Sequence, residues 1–270
     1  MNNKLIITIS LFALLGIFCS GCDTNVISGE SRLMLYTEAE EIEIGSKYAP
    51  EIEKEMGGKI ADPQLQSYIN NIGQKIVAVS HRPDLKFYFA ALNDKQTNAF
   101  ALPGGYVFIT KGMLEKLSTE AQLAGILGHE ITHVVARHSM AAMSRDGLVS
   151  AALSAASSAA NAPAGVSTIA GVTQQIIGMS FSRENEVEAD KTGMDYMYKA
   201  GYDPYGMVET MEILQSLSAG GQQIEFFSTH PIPENRKQYL LERISSNYHD
   251  MSNLQKGQTE YGNSVLKRLK

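Results

Sequence analysis

Two histidines four positions apart, with a glutamate beside the first, give His129-Glu130-Ile131-Thr132-His133 the clearest chemistry of this 270-residue chain. On a helix, residues four apart lie about 40° from each other, so both imidazoles can point at one metal ion. Glu130 falls on the flank of that face, where it reaches a water held by the metal rather than the metal itself. Zinc lowers the pKa of such a water to about 7, and a neighbouring carboxylate can then take its proton during attack on a carbonyl. That is the chemistry of peptide-bond hydrolysis, with Glu130 as general base and one Zn2+ per chain as cofactor.

A helix must carry this motif. Thr119 to Gln122 reads as a capping box, and Leu123, Ile126, Leu127, Ile131 and Val134 follow at helical spacing, predicting a largely buried helix from about Thr119 to His138. Histidines buried in such a helix need partners, and a metal supplies one. Catalytic zinc takes three protein ligands and leaves a fourth position open. A metzincin would need glycine three residues after His133 and histidine six after it, where this chain has Ala136 and Ser139. His138 falls on the opposite face of the helix, as a surface or structural histidine. The best third ligand lies in Ser182-Arg-Glu-Asn-Glu-Val-Glu-Ala-Asp190, where Glu186 and Asp190 are four apart on one helical face. Glu186 can bind the metal while Asp190 fixes a ligand histidine from behind. Glu184 and Glu188 point away from that face, and solvent is the expected surrounding for both.

Around these residues the pattern predicts one mainly helical α+β domain. Helices are expected over Thr37–Glu55, from Asp62, over 183–199, 203–217 and 232–245. Between them Leu85–Leu92, Asn98–Leu102 and Tyr106–Thr110 read as strands, the last after the Pro103-Gly104-Gly105 turn. The result is a small sheet with an edge strand beside the motif helix, a zincin-like arrangement. Residues Asn98, Ala99, Phe100 and Ala101 either form an ordinary core strand or pair with an extended substrate by β-augmentation, which would present its peptide bond to the zinc. Segments 147–161 and 163–179 are rich in small residues, suiting either a tightly packed helix pair or a lid over the site. Residues 246–270 read as a frayed polar tail.

The first 21 residues stand apart. Lys4 precedes an apolar run of 14 residues, Leu5 to Phe18, which is short for a membrane span and the right length for a secretory signal. It ends in Cys19-Ser20-Gly21-Cys22, which resembles a bacterial lipobox except that Cys19 stands where leucine is usual. The expected organisation is a lipoprotein signal peptide over 1–21, a tether over 22–36 and a zinc metallopeptidase domain over 37–245. Cys22 is the lipidation site, and the exported protein faces the periplasm from the inner or the outer membrane. Cys19 and Cys22 are the only cysteines, so the processed chain has no disulfide and relies on its core and its metal. A formal charge of −6, or −7 once Lys4 is removed, gives no electrostatic reason to expect nucleic acid as a partner.

The combination of His129-Glu-Ile-Thr-His133, Ser182-Arg183 with Glu186 and Ala189-Asp190, Asn98-Ala-Phe-Ala-Leu-Pro-Gly-Gly105, and Ser228-Thr-His-Pro231 with Arg236 resembles the gluzincin metallopeptidase family of the HtpX protease and the CAAX prenyl endopeptidase. The resemblance runs from about Thr37 to Ser245 and looks nearest to periplasmic members such as BepA and LoiP, which degrade misassembled outer-membrane proteins. It implies His129, His133 and Glu186 as zinc ligands, Glu130 as general base and Asp190 behind the ligands. His230 is similar to a histidine that approaches the metal in some relatives, either as a fourth ligand that keeps the enzyme latent or as a donor to the developing oxyanion. Arg183 and Arg236 read as structural salt-bridge residues. The membrane spans of HtpX and the tetratricopeptide repeats of BepA have no counterpart here, so no repeat-based partner is expected. The reading is an endopeptidase for unfolded or extended polypeptides. The rival from another class is a chaperone-like binding lipoprotein whose zinc is structural.

Overall fold

The computed structural model describes residues 22–158, 175–231 and 235–270. The expected signal peptide, and the part of the Ala/Ser-rich region from 159 to 174, lie outside the described residues. An N-terminal hairpin pairs β1 (Cys22–Thr24) antiparallel with β2 (Ser31–Leu33). Helix α1 (Glu38–Glu55) starts at Thr37, whose hydroxyl accepts from the Glu40 amide while the Glu40 carboxylate accepts from the Thr37 amide. Helix α2 (Pro63–Val77) starts at Asp62, whose carboxylate accepts from the Gln64 and Leu65 amides. Both starts satisfy amides that no helical carbonyl can reach.

Three strands follow. The central one, β5 (Tyr106–Thr110), runs parallel to β3 (Tyr88–Leu92) and antiparallel to β4 (Ala99–Leu102), with Phe100 opposite Phe108. The order β3-β5-β4 leaves β4 at an edge of this sheet, packed against the motif helix. A short helix α3 (Lys111–Leu114) leads to the motif helix α4 (Glu120–Val135). All its residues from Ala121 to Val135 are buried, so it is the central rod of the core. Helix α5 (His138–Ser158) comes next, then α6 (Arg183–Lys199), α7 (Tyr205–Ala219), the single turn α8 (Phe226–Thr229), α9 (Arg236–Asn247) and α10 (Gln258–Tyr261), which runs on into a π-turn over Gly262–Leu266. Among the described residues no helix is long and apolar enough to cross a membrane.

Three expectations change here. The motif helix stops at Val135 rather than His138, because Arg137 takes a left-handed conformation, φ 53°, and a new helix starts at His138. A non-glycine residue in this region carries strain and needs outside support. Arg137 has it: its guanidinium donates to Glu41 (2.7 Å), to Asp23 (2.8 Å) and to the Tyr36 carbonyl (2.9 Å).

The supposed tether over 22–36 is a docked hairpin, with Met34 buried and the Leu35 amide bonded to Ser144. The tail is not frayed either. Tyr261, Val265 and Leu269, four apart, bury themselves in the main core. The carbonyls of Lys256 and Gly257 accept from the Ala121 and Glu120 amides, so this segment caps the start of the motif helix.

Candidate active site

The site forms where α4 crosses α6, and two glycines set how close the helices come. A Cβ on Gly128 would lie 2.7 Å from the Gly193 carbonyl oxygen, and one on Gly193 would lie 2.6 Å from the Gly128 carbonyl carbon. No side chain fits at either position. This near contact of backbones brings His129 and His133 from one helix against Glu186 and Asp190 from the other. His230, just after α8, closes the group from a third direction.

Ligand-type atoms of His129, His133, Glu186 and His230 all lie within 4.8 Å of one another, and all four residues are buried. His129 Nε2 is 3.1 Å from His133 Nε2, 3.2 Å from His230 Nδ1 and 3.5 Å from Glu186 Oε2. Glu186 Oε1 is 3.4 Å from His133 Nε2 and 3.0 Å from His230 Nδ1. A tetrahedral zinc with bonds of about 2.1 Å has ligand atoms about 3.4 Å apart, so these spacings match the edges of such a shell.

Proton bookkeeping points the same way. His129 Nδ1 sits 2.9 Å from Asp190 Oδ1 and must donate to that carboxylate, which leaves Nε2 as a bare lone pair. His133 Nδ1 is 3.0 Å from His138 Nδ1, and His138 Nε2 donates to Glu188 Oε2 at 2.8 Å. His138 therefore accepts from His133, whose Nε2 is also a lone pair. Two lone pairs facing at 3.1 Å call for a cation between them. The residues fit a zinc ion.

Electrostatics distinguish the carboxylates. Burial raises the Glu130 carboxyl above the ordinary glutamate range, only partly offset by His230 and His129. Both its oxygens are buried without a hydrogen-bond partner, and Oε1 lies 3.5 Å from His230 Nε2. Such a group is poised to accept a proton. For Glu186 burial works against the charge, but the adjacent His230 and His129 rings, with His133 close by and a hydrogen bond from His230 Nδ1, outweigh it and hold the carboxyl well below its usual range. Asp190 is also lowered; here Arg236 is the main counterweight to burial. Burial pushes the imidazoles of His133 and His138 down, whereas Glu130 and Glu186 overcome burial and raise that of His230.

The sequence model of peptidase family M48 matches residues 63–244, more than half of the chain. The chain belongs to that family. Over 230 residues the chain is 32% identical to the beta-barrel assembly-enhancing protease of Escherichia coli K12, covering 81% of this chain and 47% of that one. It is 29% identical over 262 residues to metalloprotease YcaL of the same organism, covering 91% and 98%. Against the mitochondrial metalloendopeptidase OMA1 of Schizosaccharomyces pombe it is 31% identical over 202 residues, 72% of this chain and 59% of that one. It thus spans less than half the length of the assembly-enhancing protease. Members of this family are zinc metallopeptidases, and the cluster built on His129, His133, Glu186 and His230 fits that metal.

Each residue picked out in the sequence has a definite place. His129, Glu130, His133, Glu186, Asp190 and His230 converge. Asn98 is buried at the entry to β4 with neither side-chain polar atom paired, and Ala99, Phe100 and Ala101 lie in the strand. The carbonyl of Thr97 accepts from the Phe226 amide at 3.1 Å, and the Phe226 ring stacks on His230 with centroids 4.4 Å apart. The edge strand and the site are therefore one packed unit. Cys22 is exposed at the start of β1.

His138 and Glu188 are corrections. The break at Arg137 turns His138 back toward His133 and buries it, and Glu188 points at His138 instead of at solvent. Tyr239, which carries no motif, donates to Asp190 Oδ2, and Arg236 binds Asp190 Oδ1. Helical spacing could place Glu188 only relative to Glu186. Nothing local in the sequence marks the turn that brings His138 to it.

Proposed function

We propose that this protein is an exported zinc endopeptidase, anchored through a lipidated Cys22, that cleaves unfolded or misassembled envelope proteins. The observation that carries the reading is Glu130, buried, without a hydrogen-bond partner and proton-seeking beside a zinc-shaped cluster. His129, His133 and Glu186 hold the metal, and Asp190 fixes the His129 ring. A zinc ion bound there would supply Lewis acidity toward water and the scissile carbonyl. Glu130 accepts the proton of the attacking water and passes it to the leaving amine. The backbone of β4, starting at Asn98, aligns an extended substrate as an added strand, so unfolded chains are preferred over folded ones. Support for envelope clients comes from the relative named for beta-barrel assembly and from the secretory pattern of residues 1–21.

His230 sits at the fourth corner of the cluster, and Phe226 braces its ring. This favours a resting state in which His230 would serve as a fourth ligand and would have to move aside for substrate.

Glu130→Gln tests the central claim. Zinc should stay near one per chain, while cleavage of an unfolded client falls by about 10²–10⁴-fold. A variant that still supports function in cells would instead favour the chaperone-like reading. Cys22→Ser should release the protein from membranes or leave it unprocessed. Unchanged acylation and fractionation would remove the lipid anchor from the proposal.

A further inference from the structure

The ring of His133 is held by a path that leaves the active site and ends in the N-terminal hairpin. Its first link is the 3.0 Å contact from His133 Nδ1 to His138 Nδ1, and its second the 2.8 Å contact from His138 Nε2 to Glu188 Oε2. The third link is Asn25, whose side-chain amide donates to both oxygens of Glu188, at 3.0 and 2.8 Å. His138 and Asn25 are buried, and the Glu188 side chain is 16% exposed. Asn25 lies in the loop between β1 and β2. The same hairpin reaches the neighbouring residue through Asp23, which binds Arg137. The hairpin therefore touches both residues that set the direction of His138: the strained one before it and the carboxylate beyond it.

Each link has a fixed polarity. A carboxylate only accepts, so His138 must donate from Nε2 and accept at Nδ1. His133 must then donate from Nδ1, which leaves its Nε2 lone pair facing the other ligand atoms. A ligand histidine in the wrong tautomer, or free to rotate, binds metal more weakly. Glu188 needs its own restraint to play this part, because it is the one member of the path that solvent reaches. Asn25 supplies that restraint with two bonds.

We propose that His138, Glu188 and Asn25 form a positioning path through which the seat of the N-terminal hairpin sets how tightly the His133 side of the site retains zinc. The proposal rests on His133 being a zinc ligand. Hairpin and lipid-modified end are continuous in sequence, Cys22 being the first residue of β1. A change in how that end is held thus has a direct mechanical route to the metal.

The test is zinc transfer from the full chain to a chelator of known affinity. His138→Phe and Glu188→Ala should each weaken zinc binding by about 10–100-fold. Asn25→Ala should weaken it less, and should add nothing in the His138→Phe background. His138→Gln, whose side-chain oxygen can still accept from His133, should recover most of the loss. A merely structural role would not give that recovery, nor the loss of the Asn25 effect in the double variant. Wild-type zinc affinity in His138→Phe would overturn the path, as would an Asn25→Ala effect that persists undiminished alongside it. Should His138→Phe fail to fold, Asn25→Ala and Glu188→Gln carry the test, and unchanged zinc affinity in both would overturn the proposal. His133→Ala separates the two readings: wild-type zinc affinity there would refute the ligand assignment rather than the path.

Discussion

The two histidines of the motif are held from behind in opposite ways. His129 is backed by a closed set: Asp190 takes its Nδ1 proton, and Arg236 and Tyr239 fill the remaining valences of Asp190. His129, Asp190 and Arg236 are sealed from solvent and come from α4, α6 and α9 of the core. His133 is backed by an open path through His138 and Glu188 to Asn25, at the edge of the molecule. One arm lies wholly among core helices, while the other connects the site to the N-terminal hairpin. A fully buried charge cluster is costly to break, and one that solvent partly reaches, as at Glu188, less so. The inner arm should therefore govern whether the protein folds, and the outer arm how well a folded protein keeps its metal.

The largest expected effect breaks the inner arm. Asp190→Ala leaves the buried Arg236 charge with only Glu186, 3.8 Å away, as an ionic partner, which costs about 3–5 kcal/mol. Chemical denaturation of the metal-free protein should show this loss, and Glu188→Ala should show far less. If the two variants are equally destabilised, the contrast between the arms is wrong. Tyr239→Phe is milder. It removes one hydrogen bond to an ionised carboxylate, worth about 1.5–3 kcal/mol, while Asp190 keeps Arg236 and His129. Zinc affinity should hold better in Tyr239→Phe than in Asp190→Ala.

The inner arm was largely legible in the sequence, and the outer arm was not. His129 with His133, and Glu186 with Asp190, are each four apart on one helix, so local periodicity puts each pair on one face. The edge strand was legible for the same reason, as Asn98–Leu102 and Tyr106–Thr110 flank a Pro-Gly-Gly turn. The outer arm depends on a helix break at Arg137 with no glycine or proline to announce it. That break is held by Glu41, Asp23 and Tyr36 from distant parts of the chain. Asn25 and Glu188 are likewise 163 residues apart. Tyr261, Val265 and Leu269 are a different case. Their helical spacing was visible, but the polar residues between them hid a short buried stripe.

The smallest expected effect concerns pH, and it sharpens the contrast because it belongs to the outer arm. Burial lowers the imidazole pKa of His138, so the folded protein holds it neutral. In the unfolded chain a histidine takes up a proton near pH 6.5. As pH falls through that value the unfolded state binds a proton that the folded state refuses, so stability falls with pH until the lowered folded pKa is reached. One such group contributes at most about 1.4 kcal/mol per pH unit. Between about pH 7 and pH 5 metal-free wild-type protein should therefore lose more stability, or gain less, than His138→Phe. The Glu188 carboxyl, which burial raises but its bonds to His138 and Asn25 bring below the usual range, stays charged through this window and adds no slope of its own. Denaturation at a series of pH values reads the difference directly. Parallel curves for the two proteins would mean that His138 titrates in the fold as it does in the unfolded chain, so that the fold does not hold it in the neutral tautomer that orients His133.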